Sequence, residues 1–224
     1  MTRQRQPPLV RRGLIVEAAR QVIIRDGLHR TKLRDIAAQA EVSVGTVTYH
    51  FKSVDEILSE VAERETERFY TPLLEKARNE PDPVRALTLL IDPLFDGSES
   101  TAGHWRLWTD YWTASARRPG MAENDYGRLR VWQACFQETV ERGIREGVFS
   151  SLASPSAVAL KVAAYSDGIA TQMGMNADGL DHLVARQWLR QLLTAELDAV
   201  FDDAPSGGAQ VMASGGGLPR AAKE

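Results

Sequence analysis

The chain has 224 residues, 43% of them hydrophobic and 25% charged, with a formal net charge of −3. That length holds one large or two small domains with real cores, and the composition is ordinary for a soluble globular protein. A single cysteine, Cys135, leaves no intrachain disulfide framework and fits a reducing cytoplasm, and four scattered histidines (His29, His50, His104, His182) stand at no metal-ligating spacing, so neither metal nor cofactor is expected.

In chain order the predicted elements are all helices. Ile15, Ala18, Ala19, Val22 and Ile23 recur at the spacing of one helix face, and Gly27 should end that helix. This stretch is also the nearest approach to a long apolar run, but Glu17, Arg20 and Arg25 interrupt it, so no membrane span is expected. The basic start (Arg3, Arg5, Arg11, Arg12) leads into no uncharged run of the kind a secretory signal needs. Thr31 is a good N-cap for a short second helix carrying Leu33, Ile36, Ala37 and Ala40. Ser43 caps a third, running to about Phe51. Ser53 opens a long fourth helix with the capping box "SVDE", in which Glu56 can reach back to the cap, and Pro72 should bend it.

Further on, Asp82-Pro83 begins a fifth helix, with the proline where its missing N–H does no harm. "HWRLWTDYW" puts Trp105, Trp108 and Trp112 on one stripe. Residues 124–146 set Tyr126, Leu129, Trp132, Phe136 and Val140 in helical register, Ser154-Pro155 opens a helix rich in small residues, and a last helix spans roughly 180–201. No segment alternates with a strand's period. From Asp202 the chain lacks the apolar content to order itself, so residues 202–224 read as a disordered tail. The fold class is all-α, with about nine helices.

Charge is unevenly spread. Residues 1–52 carry ten Lys/Arg against four Asp/Glu, a balance of +6, which leaves −9 on the remainder. A basic first fifth on an acidic body is the footprint of a polyanion-binding surface. The geometry beneath it fits: in "LRDIAAQAEVSVGTVTYHF", Ile36, Ala37, Val42 and Val47 have the spacing that fixes two crossing helices as a helix-turn-helix. Left facing outward are Val44, Gly45, Thr46, Thr48, Tyr49 and His50, with Ser43 before them and Lys52 just after. Hydroxyls and a ring suit base edges in a major groove, and the cap and the lysine suit phosphates. Tyr49 has two readings, facing the groove or packing on the first helix. Arg3 and Arg5 likewise read as a minor-groove arm or as a solvated tail.

The block "RRGLIVEAARQVIIRDGLHRTKLRDIAAQAEVSVGTVTYHFKSVDEIL" resembles the DNA-binding domain of the TetR (tetracycline-repressor) family of transcriptional regulators. The resemblance lies in the leading amphipathic helix, the "G…T…IA" approach, "VS-G" into the recognition helix and "YHF-S" before helix four. It implies that Thr31 and Lys32 touch phosphate, that Ser43, Val44, Gly45, Thr46, Thr48, Tyr49 and His50 face the groove, and that Lys52 meets phosphate. "YGRLRVWQACFQETVERGIREGVF" and "DGIATQMGM" look like the subgroup related to BetI, the choline-responsive regulator. Three positions depart from the family pattern: Glu41 stands for the turn's usual glycine, Thr48 for a common aromatic, and Val54 for a lysine that often anchors helix four.

The implied organisation is a helix-turn-helix domain over residues 9–69 and a ligand-binding, dimerising domain over 70–201. The second would enclose an effector among Trp105, Trp108, Trp112, Tyr126, Trp132, Phe136 and Met173, although any one such residue is more often core filling than pocket lining. Asp110 within that aromatic cluster would suit a cationic ligand, and apolar ligands also fit. A homodimer is expected through the last two helices, with Ala159, Ala163, Ala170, Leu189, Leu192, Leu193 and Val200 at the interface. The expected partners are double-stranded operator DNA and a small molecule, with no membrane, and the expected place is the cytoplasm. An enzyme is not expected, for want of a nucleophile elbow, a phosphate loop, paired histidines or an acidic cluster. A helical adaptor would account for the helices but not for the basic first fifth.

Overall fold

The computed structural model describes residues 7–116 and 119–201, and for residues 119–129 the backbone alone. Arg3, Arg5, the ring of Tyr126 and the tail 202–224 therefore lie outside the described residues. Helix α1 (Pro8–Asp26) starts with proline at its first position and ends at Gly27, whose φ of 82° only glycine adopts without strain. A 3₁₀ turn (Leu28–Arg30) leads to α2 (Leu33–Gln39). Thr31 is not the cap of α2: its hydroxyl donates to the Gly27 carbonyl at 2.9 Å, within the preceding turn. Lys32 holds the cap position instead, its N–H donating to the Asp35 carboxylate at 3.2 Å.

Between α2 and α3 (Val44–His50), Glu41 adopts the left-handed conformation at φ 52° that the family's glycine would supply, at a cost of about 1 kcal/mol. Ser43 caps α3, accepting from the Thr46 N–H at 3.1 Å. Ser53 caps α4 (Val54–Asn79) in the same way through Glu56 N–H. Glu56, however, reaches one residue past the cap, to the Lys52 N–H at 2.8 Å. Helix α4 runs through Pro72 without a break.

There follow α5 (Pro83–Ile91), capped by Asp82, a 3₁₀ turn (Asp92–Phe95), α6 (Glu99–Ser115), α7 (Pro119–Arg145), α8 (Pro155–Gly174) and α9 (His182–Leu197). Among the described residues there are nine α-helices and no strand, and none of the helices is long and apolar enough to cross a membrane.

Two apolar cores share this framework. One joins α1, α2, α3 and the first half of α4 to Leu107, Trp108 and Tyr111 of α6. The other joins the second half of α4, from Tyr70 onward, to α5, Trp105 of α6, α7, α8 and α9. Helices α4 and α6 therefore belong to both, and Trp112 packs against both. Below, the first core with its helices is called the head and the second the body.

This packing corrects two expectations. Trp108 is buried in the head core with Leu107 and Tyr111, while its ring still stacks on Trp112 with centroids 6.0 Å apart. Ala159, Ala170, Leu189 and Leu193 are buried within the chain's own body and cannot meet a second copy. The apolar stripe visible in the sequence is the inward face, and the outward faces of α8 and α9 carry Leu160, Tyr165, Leu183 and Trp188.

Candidate nucleic-acid interface and ligand cavity

Helix α3 is held by its inward residues and left free on the other side. Val47 and Phe51 are buried between α1, α2 and α4, and with that register fixed Tyr49 is thrown outward, 82% exposed. Ser43, Val44, Gly45, Thr48 and Lys52 are exposed beside it, and Thr46 and His50 are half-buried. Tyr49 thus does not pack on α1; its ring meets that of His50 in a T-shaped pair, with centroids 5.1 Å apart. Two hydroxyls on this face are already engaged, Thr46 with Ser43 at 2.9 Å and Thr48 with the Gly45 carbonyl at 3.2 Å. Arg34 of α2, its cap residue Lys32 and Arg30 before it are exposed, whereas Thr31 is half-buried.

Arg12, which the sequence counts only as one more basic residue, is a clamp on this surface. From α1 its guanidinium donates to the carbonyl of His50 at the end of α3, to Glu56 at 3.0 Å and to Glu60 at 2.6 Å. It also lies 4.0 Å over the Phe51 ring. Arg20 likewise turns inward, so two of the ten basic residues serve the fold and not the surface.

In the body, a cavity of about 250 Å³ is walled by Trp105, Trp112, Trp132 and Tyr70, with Gln133 and Asp167 among its polar groups. Local chemistry fixes the indoles. Pro93 interrupts the helical ladder where α5 passes into its 3₁₀ turn, and carbonyls there are open to side-chain donors: Trp132 Nε1 donates to Leu90 at 3.1 Å and Trp105 Nε1 to Leu94 at 2.7 Å. Asp167 lies on the inward side of α8, and among the described residues no side chain hydrogen-bonds to it or pairs with it. Burial alone raises its carboxyl to about 7. The same burial, with the charges of Asp167 and Glu65, pushes the Tyr70 phenol upward, so it remains a donor.

Of the expected lining residues, Trp105, Trp112 and Trp132 face this cavity. Phe136 is buried core, and Met173 lies at a separate groove between the end of α1, α6 and α8. Asp110 is beside that groove too, its carboxylate accepting from the Leu28 N–H at 2.7 Å. It ties α6 to the turn after α1, and the carboxylate among the indoles is Asp167 instead.

At the seam of the two cores sits a buried polar cluster that the sequence reading missed. Glu65 of α4 and His104 of α6 are both 0% exposed and meet at 2.9 Å through Oε1 and Nδ1. Arg20 of α1 donates to the other Glu65 oxygen at 2.6 Å, and Arg68 adds a third partner at 2.5 Å. His104 Nε2 lies 3.3 Å from the Tyr70 hydroxyl at the cavity wall. Desolvation pushes Glu65 up, but the bonds from His104 and Arg20 outweigh it and hold the carboxyl below its ordinary range. Desolvation lowers His104 by more than Glu65 raises it, leaving a neutral ring. No group of three or more metal-ligating side chains occurs among the described residues.

Comparison with known proteins agrees with this geometry. The family model described as bacterial regulatory proteins of the tetR family matches residues 15–61, and that described as BetI-type transcriptional repressor, C-terminal, matches residues 83–198. A BetI regulator from Stenotrophomonas maltophilia is 30% identical over 115 residues, half of this chain and 58% of that protein. The chain thus spans under two thirds of that relative's length. The BetI regulator of Escherichia coli O45:K1 is 21% identical over 190 residues, covering 84% of this chain and 94% of that one. In fold, the chain is similar to a protein from Saccharomonospora viridis described as a transcriptional regulator and crystallised in complex with choline, with a TM-score of 0.77 at 24% identity, over 83% of this chain and 96% of the other.

Proposed function

The chain belongs to the TetR family of bacterial transcriptional regulators, with the BetI-type C-terminal domain, and we propose that it is a repressor that binds operator DNA as a homodimer and releases it when a small organic cation fills the body cavity. In this reading residues 9–69 are the DNA-binding domain and 70–201 the effector and dimerisation domain. Helix α3 enters the major groove, where Tyr49, Thr48, His50 and Val44 meet base edges. Ser43, Lys32, Lys52 and the Thr31 backbone meet phosphate. The observation that carries the reading is the outward face of α3, where a large aromatic side chain stands 82% exposed on an otherwise well-anchored helix.

The effector class follows from the cavity's chemistry. Three indoles and a phenol offer electron-rich faces, and an unpaired carboxylate offers the counter-charge, the combination that recognises quaternary ammonium groups. About 250 Å³ lies at the small end of ligand sites, and the similar S. viridis protein holds choline. The outward residues of α8 and α9, Leu160, Tyr165, Leu183 and Trp188, supply an apolar face for a second copy. A two-fold dimer then requires a near-palindromic operator with half-sites one helical turn apart, about 10 base pairs or a multiple. Selection of random duplexes on the purified protein, followed by sequencing, tests this directly. A paired, inverted motif at that spacing supports the reading, and recovery of no common sequence overturns it.

A further inference from the structure

We propose that the buried chain Tyr70–His104–Glu65–Arg20 carries the effector signal from the cavity to the DNA-binding head, an inference that rests on the cavity being the effector site. Its links come from three different helices. Tyr70 lines the cavity, His104 sits on α6, Glu65 lies on α4 where the head core gives way to the body core, and Arg20 belongs to α1. An ionised Glu65 can only accept, so His104 Nδ1 carries the proton that meets it at 2.9 Å. The neutral ring then accepts at Nε2 from the Tyr70 hydroxyl, so donation runs from Tyr70 through His104 to Glu65, which also accepts from Arg20.

The links are unequal. The contact at the cavity end is 3.3 Å and the one at the head end is 2.6 Å. A ligand therefore perturbs the loosest joint first. A cation held by Asp167 puts positive charge beside the phenol, whose ionisation already senses Asp167, and draws its oxygen away from Nε2. The imidazole does not absorb the change by swinging aside, because Phe69 is stacked on it at 3.7 Å and the edges of Trp105 and Trp108 flank it. The displacement passes instead to α6 and to Glu65, a buried carboxylate whose remaining partners include Arg20.

Arg20 in turn lies two turns along α1 from Arg12, which holds the carbonyl of His50 at the end of α3. The polar path thus runs from the cavity wall to the recognition helix with one helix as its last rigid member. Gly103 keeps that member close to α6: a Cβ there would meet Ile24 at 3.3 Å.

The test uses the full-length protein, operator DNA recovered by selection, and choline chloride as the probe. In His104→Asn the side-chain amide takes the place of Nδ1 and keeps the bond to Glu65, but no longer reaches Tyr70. Choline and operator should each bind the variant alone within about threefold of wild type, while the factor by which choline weakens operator binding falls from the ~5–150-fold range toward 1. Wild-type coupling in a folded His104→Asn protein overturns the proposal. Should that variant fail to fold, the wild type decides. The ¹⁵N imidazole signals of His104 should report the Nδ1–H tautomer in the free protein and shift when operator binds, with or without choline, and signals unmoved by operator overturn it. If choline does not bind the wild type at all, the cation reading of the cavity fails, and the operator-induced shift at His104 still decides the relay.

Discussion

Replacing Arg12 by alanine tests whether the DNA-reading helix depends on a side chain from α1. The guanidinium joins three partners and an aromatic face. The pairs with Glu56 and Glu60 are part-exposed, with side chains 37% and 16% accessible, and after solvent screening are together worth about 1 kcal/mol. The charged donor to the His50 carbonyl adds ~1.5 kcal/mol, and the cation over Phe51 adds ~0.5–1. Glu60 keeps Arg64 and Glu56 keeps the Lys52 N–H, so neither carboxylate is stranded. Arg12→Ala should therefore cost about 3–3.5 kcal/mol, a fall of roughly 6–14 °C in Tm for a chain of this length, read by circular dichroism. Because two of the links are exposed ion pairs, the loss should shrink at high salt. Operator affinity should fall as well, since the C-terminal end of α3 loses its anchor. A Tm within about 1 °C of wild type would refute the clamp.

The other predictions concern the two surfaces. Tyr49→Ala should weaken operator binding by roughly 1–3 kcal/mol without changing helix content, whereas Lys52→Ala should weaken all sequences alike and reduce the salt slope by about 0.9 in gel-shift titrations. Trp188→Glu, on the outward face of α9, should give monomers by analytical ultracentrifugation and lose tight operator binding; a dimer that persists would move the interface elsewhere. Choline binding needs Asp167 ionised, so its affinity should be constant well above pH 7 and fall by up to about tenfold per unit below it. In Asp167→Asn, calorimetry should find weak binding with no such dependence.

What the sequence revealed and what it hid divide along physical lines. Local signals were legible: the period of α1, the caps at Ser43, Ser53 and Asp82, and Gly27 as a stop all depend on residues within one turn. Glu41 was noticeable only because the resemblance puts a glycine at that place in the turn, which left open a strained left-handed residue or a different turn, and its φ is 52°. The clamp and the relay were not legible. Arg12 meets partners 38 to 48 residues away and Glu65 meets His104 across 39, and no short-range pattern announces a charge that will be buried. Periodicity identifies a buried face without saying what buries it, which is why the inward stripe of α8 and α9 was mistaken for an interface between copies. Asp167 carried a signal that was overlooked: it follows Ala163 by four residues on a helix face made mostly of small and apolar residues, where a carboxylate needs a reason to be.

The central claim is that operator and cation compete through one protein, and reciprocal titration tests it most directly. Choline affinity is measured by intrinsic tryptophan fluorescence with and without saturating operator, and operator affinity by anisotropy with and without saturating choline, in one buffer. The account predicts that both affinities fall by the same factor, in the range of ~5–150. Choline binding that leaves operator affinity unchanged, or no choline binding at all, would contradict it.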